Sequence, residues 1–304
     1  TGRLMGGGAV SQAVRQHLQQ GLKVYAEAGP ARTLHDNLER LRQWGVQIVA
    51  AQPPGTSQVI FGDVDLNALR RALGEFEVEL PEHFAVAVQD HGFSPDASNR
   101  RHRFQHWEKF LAEGGELHRL AYDRPPGDLT RMAASKEVLP EALLMDTCAA
   151  GVWGALLDNQ VQPLRQEGLV VINIGNEHTF AVLVRETTVW GVYEHHTGLL
   201  TPEKLAAQVH LFQTGQLTNA EIFDDFGHGC VIRSDYASSR PFKTLVLTGP
   251  QRRLGVKLPA IQAAPFGDMM LTGCFGLVAA AHDTGIGYDQ GGKKFSKRPA
   301  SKEN

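Results

Sequence analysis

Apolar and polar positions alternate most clearly between residues 141 and 185. An apolar run ends at Asp146-Thr147, a pair typical of a helix N-cap, and small apolar residues follow at helical spacing. Two runs rich in Val, Ile and Leu come next, and Gly175-Asn176 separates them. A glycine turn between such runs is typical of a β-hairpin. The pattern therefore predicts a strand, a helix, a strand, a glycine turn and a strand.

The chain before residue 90 alternates short apolar runs with amphipathic segments. The runs predict strands, and the amphipathic segments predict helices, two of which end at glycines. We expect strands at 22–26, 46–50, 59–64 and 84–88, and helices at 10–20, 33–44 and 66–73. This alternation of helix and strand is typical of a layered α/β domain.

The same patterns continue in the second half of the chain. They predict strands at 188–193 and 244–248, helices at 202–215 and 267–282, a polar loop at 231–243 and irregular structure at 254–261. The last residues, 286–304, are basic and of low complexity, so we expect a disordered tail.

The predicted hairpin turn is rich in groups that can hold an anion. Its backbone N–H groups and side chains surround one concavity, to which five residues contribute: Asn173, Gly175, Asn176, His178 and Thr179. Successive N–H groups in such a turn form a nest for a phosphate or carboxylate. The pattern fits an ordinary polar hairpin tip equally well.

Three other short segments carry polar groups with two interpretations each. Gly6-Gly7-Gly8, before a predicted helix, can seat an anion or form a tight, closely packed turn. Asp90 and His91 follow a predicted strand, where they can serve acid–base or metal chemistry or shape a turn. The basic cluster of Arg100, Arg101 and Arg103 can meet a phosphate or carboxylate, or it can be solvated or pair with nearby acids.

Histidines are concentrated in the second half of the chain, near several carboxylates. They are His178, His195, His196, His210 and His228, with Glu194, Asp224 and Asp225 nearby in sequence. Imidazoles and carboxylates suit Zn, Fe, Mn or Ni, so one hypothesis is a metal site that uses His195, His196 and His228. The other is a polar cleft lined by histidines. Because neighbouring residues of a strand point to opposite faces, His195 and His196 do not easily share one ion.

The charge and composition of the chain argue against a nucleic-acid-binding protein and against a membrane-spanning protein. A net charge of −3 gives no basic field for nucleic acid, and no apolar run is long enough to span a bilayer. Three scattered cysteines indicate a reducing compartment, so we expect a cytoplasmic protein. As its partner we expect a small-molecule ligand rather than a nucleic acid or a membrane. The sequence does not indicate the oligomeric state. It begins at Thr1 rather than Met, which suggests a truncated N-terminus.

Four segments, in order, resemble the actin-like ATPase superfamily of actin, sugar kinases and heat-shock chaperones. They are 146–150, 173–179, 244–250 and 266–280. The resemblance implies an α/β fold of two-lobed actin-like ATPase (ribonuclease H-like) architecture. We expect the first lobe at 1–145 and the second lobe at 146–285.

The resemblance also implies ATP with Mg²⁺ as the cofactor. Phosphate would then contact Asn173, Gly175, Asn176, His178 and Thr179. Thr248 and Gly249 would face the base or ribose, and Asp146, or Asp90 with His91, would serve a metal or a proton transfer. In that superfamily the hairpin begins with Asp, whereas this chain has Asn173. A neutral amide cannot act as a base, so we do not expect hydrolysis through this residue.

Most of the chain also resembles a family of unknown function labelled "putative pyruvate formate-lyase activating enzyme". The resemblance rests on six motifs, at 5–8, 89–93, 146–147, 173–179, 194–198 and 227–229. Radical activating enzymes hold an iron–sulfur cluster with three closely spaced cysteines. Cys148, Cys230 and Cys274 lie far apart, so we expect neither a cluster nor that chemistry.

Three hypotheses about function follow from the sequence. The first is a nucleotide- or phosphometabolite-binding protein, with ATPase or kinase activity as its enzymatic form. The second is a metal-dependent enzyme that uses the histidine-rich second half. The third is a non-catalytic scaffold that keeps the fold without turnover, which Asn173 makes reasonable.

Overall fold

A computed structural model describes residues 1–284, which fold as mixed α/β structure in two compact units. The first unit contains residues 1–102 and 123–144, and the second contains residues 103–122 and, of the described chain, residues 145–284. The segment 103–122 thus packs with the second unit, although it precedes the expected boundary at residue 145. The predicted disordered tail, 286–304, lies outside the described residues.

The helices of the described chain are mostly short. They are α1 (Gly8–Gln19), α2 (Ala28–Ala31), α3 (Leu38–Trp44), α4 (Leu66–Gly74), α5 (Asn99–Ala112), α6 (Thr130–Val138), α7 (Thr147–Ala155), α8 (Pro202–Gln213), α9 (Asn219–Asp224) and α10 (Thr272–Asp283). Between residues 1 and 284, none of these helices combines the length and the apolar character needed to cross a membrane.

The longest strands lie in the second unit. The strands are β1 (Val24–Ala26), β2 (Val46–Ile48), β3 (Ala85–Ala87), β4 (Ala121–Tyr122), β5 (Leu143–Met145), β6 (Leu169–Ile174), β7 (His178–Arg185), β8 (Thr188–His196), β9 (Gly229–Ile232), β10 (Thr244–Thr248) and β11 (Ala260–Gln262).

The prediction for residues 141–185 is confirmed. A strand, β5, leads into α7, and the Asp146 carboxylate caps this helix by accepting a hydrogen bond of 2.9 Å from the Cys148 N–H. The predicted glycine turn connects β6 and β7, which pair as an antiparallel hairpin. Local pattern suffices here because the elements are adjacent in sequence and strongly apolar.

Several other predictions of secondary structure are wrong. The strand expected at 59–64 is a single bridge at Phe61, because Val59 and Ile60 are largely exposed. The helix expected from residue 33 begins only after Asn37, whose side chain accepts from two backbone N–H groups of α3. Regions expected to be irregular contain β9 and β11, which form by pairing with distant strands.

The first unit contains a small parallel pair, β1 and β2, covered by helices. Its core includes Ala31, Leu34, Leu41 and Val46, against which side chains of α1 and α3 pack. The strand β5 lies beside β3, where the Leu143 N–H donates to the Phe84 carbonyl at 3.0 Å. This unit therefore has its own hydrophobic core.

The second unit is organised around a six-stranded sheet with the order β11-β10-β6-β7-β8-β9. Strands β6, β7 and β8 form an antiparallel meander, and β9 extends it on one side. On the other side β10 runs parallel to β6, and β11 runs parallel to β10. One face of the sheet packs against α8 through a core that includes Leu183, Tyr193 and Phe212.

All six strands have one end at the same edge of this sheet, which we call the site edge. The strands β6, β8, β10 and β11 end there, and β7 and β9 begin there. The pairings that define it are Asn173 with Thr248, Ile174 with Thr179, His178 with His196, and Glu194 with Gly229. The site edge therefore includes the carboxyl ends of the parallel strands, where open α/β sheets bind ligands.

Helices α7 and α10 pack closely because glycines line their contact. A Cβ added at Gly276 of α10 would collide with the Ala150 carbonyl and lie 2.7 Å from the Gly154 nitrogen. A Cβ added at Gly154 would collide with the Thr272 carbonyl. The two backbones therefore touch, and any side chain at these glycines must push the helices apart.

We expect Gly276→Ala to lower the free energy of unfolding by about 1–3 kcal/mol, because the added methyl group overpacks this contact. Urea unfolding followed by circular dichroism measures the change. The matched control is Gly273→Ala on the same helix, where an added Cβ meets nothing within 4 Å. The control should stabilise the protein by up to about 1 kcal/mol, and equal effects of both changes would contradict the packing argument.

Candidate functional site

The alternation of side chains in β8 divides the polar residues of the second unit between two faces of the sheet. Glu194 and His196 lie on the face that meets Arg103 of α5, whereas His195 lies on the opposite face. The prediction that His195 and His196 point to opposite faces is confirmed. The site edge therefore has two separate polar networks.

Arg103 is the centre of the first network and is almost completely buried, with 3% exposure. Its Nε donates to Glu194 Oε2 at 2.6 Å, and its Nη1 donates to Asp146 Oδ2 at 2.8 Å. Its Nη2 donates to Asp146 Oδ1 at 3.3 Å. One guanidinium therefore joins the cap of α7 to β8, and of the two hypotheses for this arginine the structure shows pairing with acids.

The contacts of this network shift the pKa values of Glu194 and Arg103. Burial alone would raise the pKa of the Glu194 carboxyl, but Arg103, His178 and His228 hold that pKa well below its usual range. Burial would lower the pKa of the Arg103 guanidinium, but the two carboxylates raise it well above its usual range. Glu194 is therefore a carboxylate that only accepts hydrogen bonds.

Three histidines form a cluster beside Glu194 at the site edge. The ring centroids of His178 and His196 are 4.9 Å apart, and the His228 centroid is 4.7 Å from each of them. His178 Nδ1 lies 3.1 Å from Glu194 Oε1. Because this carboxylate can only accept, His178 Nδ1 is the donor of this hydrogen bond.

The second network lies on the opposite face, around Asp225. His195 Nε2 is 3.1 Å from Asp225 Oδ2, and Lys204 Nζ donates to Asp225 Oδ1 at 2.8 Å. Burial raises the pKa of Asp225, but the bonds from Lys204 and His195 lower it below its ordinary value. The structure thus separates His195 from His196 and His228, the other members of the predicted metal set.

Asn173 occupies a narrow position at the carboxyl end of β6. An added Cβ at Gly151 of α7 would collide with its Nδ2, and an added Cβ at Gly249 would collide with its Oδ1. Gly249 has φ +101°, in the left-handed region that favours glycine. The amide is therefore enclosed by small residues and backbone, directly beside Thr248 of β10.

The hairpin turn contacts the loop that follows β10. Gln251 N donates to the Ile174 carbonyl at 3.0 Å, and Gln251 Nε2 donates to Asn176 Oδ1 at 2.9 Å. The Gly175 N–H donates to the His178 carbonyl at 2.9 Å. Asn176 is exposed, so the two loops present polar groups to solvent on one side of the site edge.

Thr179 and Thr248, both predicted to contact a nucleotide, are buried. The Thr179 hydroxyl lies 3.1 Å from that of Thr197, which donates to the Gly175 carbonyl at 2.9 Å. The Thr248 hydroxyl lies 3.3 Å from that of Thr272. Thr179 therefore supports the hairpin turn from inside, and Thr248 connects the end of β10 with α10.

Asp90 and His91 belong to the first unit. Asp90 is 5% exposed, and each of its oxygens accepts a backbone N–H at 2.9 Å, one from Gly92 and one from Met132. These bonds join the turn after β3 to α6, as the turn hypothesis predicts. His91, which follows Asp90, is partly buried. Acid–base or metal chemistry at this pair stays a prediction.

The glycine loop of the first unit packs against an ion pair. Arg131 makes two bonds of 2.7 Å to the Asp63 carboxylate, and it also donates to the Gln89 carbonyl at 2.7 Å. A Cβ added at Gly6 would lie 2.7 Å from Arg131 Nη2. The loop 6–8 therefore adopts the close packing that one of its two interpretations requires.

An iron–sulfur cluster uses thiolates as ligands, and the absence of such a cluster from this chain stays a prediction. Burial and the nearby Asp146 and Glu194 carboxylates raise the pKa of the Cys148 thiol well above its usual range. Burial also raises the pKa of the Cys230 thiol. Cys274 is exposed on α10. Two of the three sulfurs are thus held as neutral thiols in closed surroundings.

The sequence analysis identified most residues of the site edge, but it did not predict which of them lie together. The structure brings His178, His196 and His228 together with Asp146 and Glu194. It places Asn173, Gly175, Asn176 and Gly249 beside them along the same edge. The role of Glu194 was missed, although its spacing of two residues from His196, directly after the strand predicted at 188–193, was a usable signal.

Comparisons with known proteins match a family model and a number of solved structures. A family model described as "Putative pyruvate format-lyase activating enzyme (DUF1786)" matches residues 5–254. No curated protein matches the chain. Among solved structures, a crystal structure of the apo psk41 parM protein matches at 10% identity with a TM-score of 0.26. That match covers 48% of this chain and 56% of the other, so this chain spans just over half of that protein.

We expect Arg103→Met to lower the free energy of unfolding by about 3–5 kcal/mol, because it leaves two carboxylates buried without their cation. Urea unfolding at neutral pH measures the loss. The control is Arg119→Ala, which removes an exposed bond of 2.6 Å to Glu113 and should cost less than about 1 kcal/mol. Similar losses in both variants would show that Arg103 does not stabilise the unit through its burial.

Proposed function

The chain belongs to this family, and we propose that its second unit binds a nucleotide or a phosphometabolite at the site edge. The observation that carries the proposal is the enclosure of the Asn173 amide by Gly151 and Gly249, at the carboxyl ends of the parallel strands β6 and β10. The glycines let the Asn173 amide lie against the backbone at the edge of the sheet where open α/β sheets bind ligands.

The order of strands supports the proposal. The ribonuclease H-like fold, on which actin-like ATPases are built, has three antiparallel strands in chain order and two parallel strands beside the first. In the second unit β8, β7 and β6 form the meander, and β10 and β11 follow beside β6. In that fold the ligand lies at the edge where the first strand ends, which here is the position of Asn173. The shared fold alone does not determine the ligand.

Charge and hydrogen-bonding groups along this edge suit an anion. Gln251 connects the loop after β10 to the hairpin turn, and Arg252 and Arg253 follow it directly in a short 3-10 turn, Arg252–Gly255. Guanidinium groups bind phosphate oxygens through charge-assisted hydrogen bonds. The exposed Asn176 adds a neutral amide to the same side.

The residues present favour binding over hydrolysis. Where the superfamily has Asp, this chain has Asn173, whose amide can donate to a phosphate oxygen but cannot take a proton from water. Mg²⁺, when bound with a nucleotide, would neutralise phosphate charge. Asn173 offers it only a neutral carbonyl oxygen. We therefore propose a ligand-binding role for this residue and assign no phosphoryl transfer to it.

Calorimetric titration of ATP with Mg²⁺ into the full chain tests the proposal. We expect saturable binding that weakens at least about tenfold in an Arg252→Ala/Arg253→Ala variant, because charge-assisted hydrogen bonds contribute about 1.5–3 kcal/mol. Asn173→Ala should also weaken binding. The matched control is Lys243→Ala, which removes an exposed cation at the opposite end of β10 and should leave the affinity unchanged.

Two results would contradict the proposal. The first is the absence of heat for ATP, pyrophosphate and sugar phosphates, which would favour the scaffold hypothesis. The second is binding that neither the arginine variant nor Asn173→Ala changes, which would place the ligand elsewhere in the chain.

A further inference from the structure

Two arginines, Arg185 and Arg240, lie together at the end of the six-stranded sheet that is opposite the site edge. Arg185 ends β7, and Arg240 precedes β10, whose first residue pairs with the first residue of β6. Arg185 Nη2 donates to the Arg240 carbonyl at 2.6 Å, and Arg240 Nη2 donates to the Gln166 carbonyl at 3.3 Å. Residues from both sides of β6 and β10 thus bring two guanidinium groups to one place.

Aromatic rings and a glycine position the Arg185 guanidinium. Its Cζ lies 4.4 Å from the centre of the Phe242 ring and 5.7 Å from the centre of the Trp190 ring. A Cβ added at Gly168, in the loop before β6, would lie 3.0 Å from Arg185 Nη2. A guanidinium that stacks on aromatic faces keeps its N–H donors in its own plane, directed away from the rings. Arg185 is therefore held in an orientation suited to an oxyanion.

Within residues 1–284, neither guanidinium is paired with a carboxylate. Each makes a single side-chain hydrogen bond, to a backbone carbonyl, although a guanidinium has five N–H donors. Glu186 lies 4.0 Å from Arg165 instead, and Asp235 bonds to Arg233 at 2.8 Å. Glu167 is exposed. The acids of the neighbouring segments therefore do not neutralise the two groups.

The charges of the two guanidinium groups repel each other. Burial lowers the pKa of Arg185, and Arg240 lowers it further, whereas Tyr236 raises it. A partly buried cation without a counter-ion is costly, so an anion that contacts both groups would be favourable. Two positive charges match a doubly charged oxyanion better than they match a single carboxylate.

We propose that Arg185 and Arg240 bind a phosphate group, either as inorganic phosphate or as the end of a small phosphate monoester. Such a group carries a charge of about −1.5 to −2 at pH 7 and has three acceptor oxygens. Guanidinium groups bind these oxygens through paired, charge-assisted hydrogen bonds. The site is separate from the proposed nucleotide site, because β6, with its six residues, spans about 20 Å between the two ends of the sheet.

Fluorine NMR of the full chain labelled with fluorotryptophan tests the proposal, because Trp190 lies beside Arg185. The Trp190 resonance is assigned with Trp190→Phe. We expect inorganic phosphate to shift it saturably, and chloride at the same ionic strength to leave it unchanged. Arg240→Gln and Arg185→Lys should each weaken phosphate binding at least about tenfold, because charge-assisted hydrogen bonds are lost. The matched control is Arg119→Gln, at an exposed arginine bonded to Glu113, which should bind like the wild type.

The choice between the two forms of the ligand follows from a second titration with phosphoserine in place of inorganic phosphate. Tighter binding of the monoester identifies a phosphorylated metabolite as the ligand, and tighter binding of inorganic phosphate identifies the free ion. Acetate that binds as tightly as phosphate would contradict a site for a doubly charged group.

The proposal is overturned if phosphate at tens of millimolar leaves the Trp190 resonance unchanged. It is also overturned if Arg240→Gln, which alters only an exposed side chain, binds phosphate like the wild type. The Arg252→Ala/Arg253→Ala variant should keep the shift, and its loss there would assign the signal to the site edge instead. None of these measurements uses ATP, so the result does not depend on the nucleotide proposal.

Discussion

The buried contact of Arg103 with Asp146 and Glu194 is the constraint on which the rest of the second unit depends. It joins α5, the cap of α7 and the site edge at β8 through one side chain. Three buried charges are tolerated only when their hydrogen bonds are satisfied, so this geometry leaves little freedom to its neighbours. Glu194 then fixes His178, and the register of β7 and β8 brings His196 to the same place.

The same edge of the sheet carries two different chemistries. At β7, β8 and β9 it presents imidazoles over a buried carboxylate, which suits a cation. At β6 and β10 it presents glycines, amides and a loop with two arginines, which suits an anion. The two regions meet at the hairpin turn, where Asn173 and His178 are separated by only a few residues.

The sequence predicted the elements that depend on neighbouring residues, and it missed the contacts between residues that are far apart in the chain. The elements from β5 to β7 follow one another, so periodicity and the Asp146 cap were enough. Arg103 and Glu194 are 91 positions apart, and nothing in either neighbourhood specifies the other. The sequence also does not show that His178, His196 and His228 lie together, because their proximity depends on the register of β9 with β8. The alternation of side chains along a strand did predict that His195 and His196 lie on opposite faces, since this rule needs only neighbouring residues.

Hydrogen exchange measured by mass spectrometry, with and without Mg²⁺ and ATP, tests most directly whether the site edge is the ligand site. The account predicts slower exchange of backbone amides in the turn after β6 and in the loop after β10, because a bound ligand covers both. Unchanged exchange at 175–178 and 249–253, with protection confined to other parts of the chain, would contradict it.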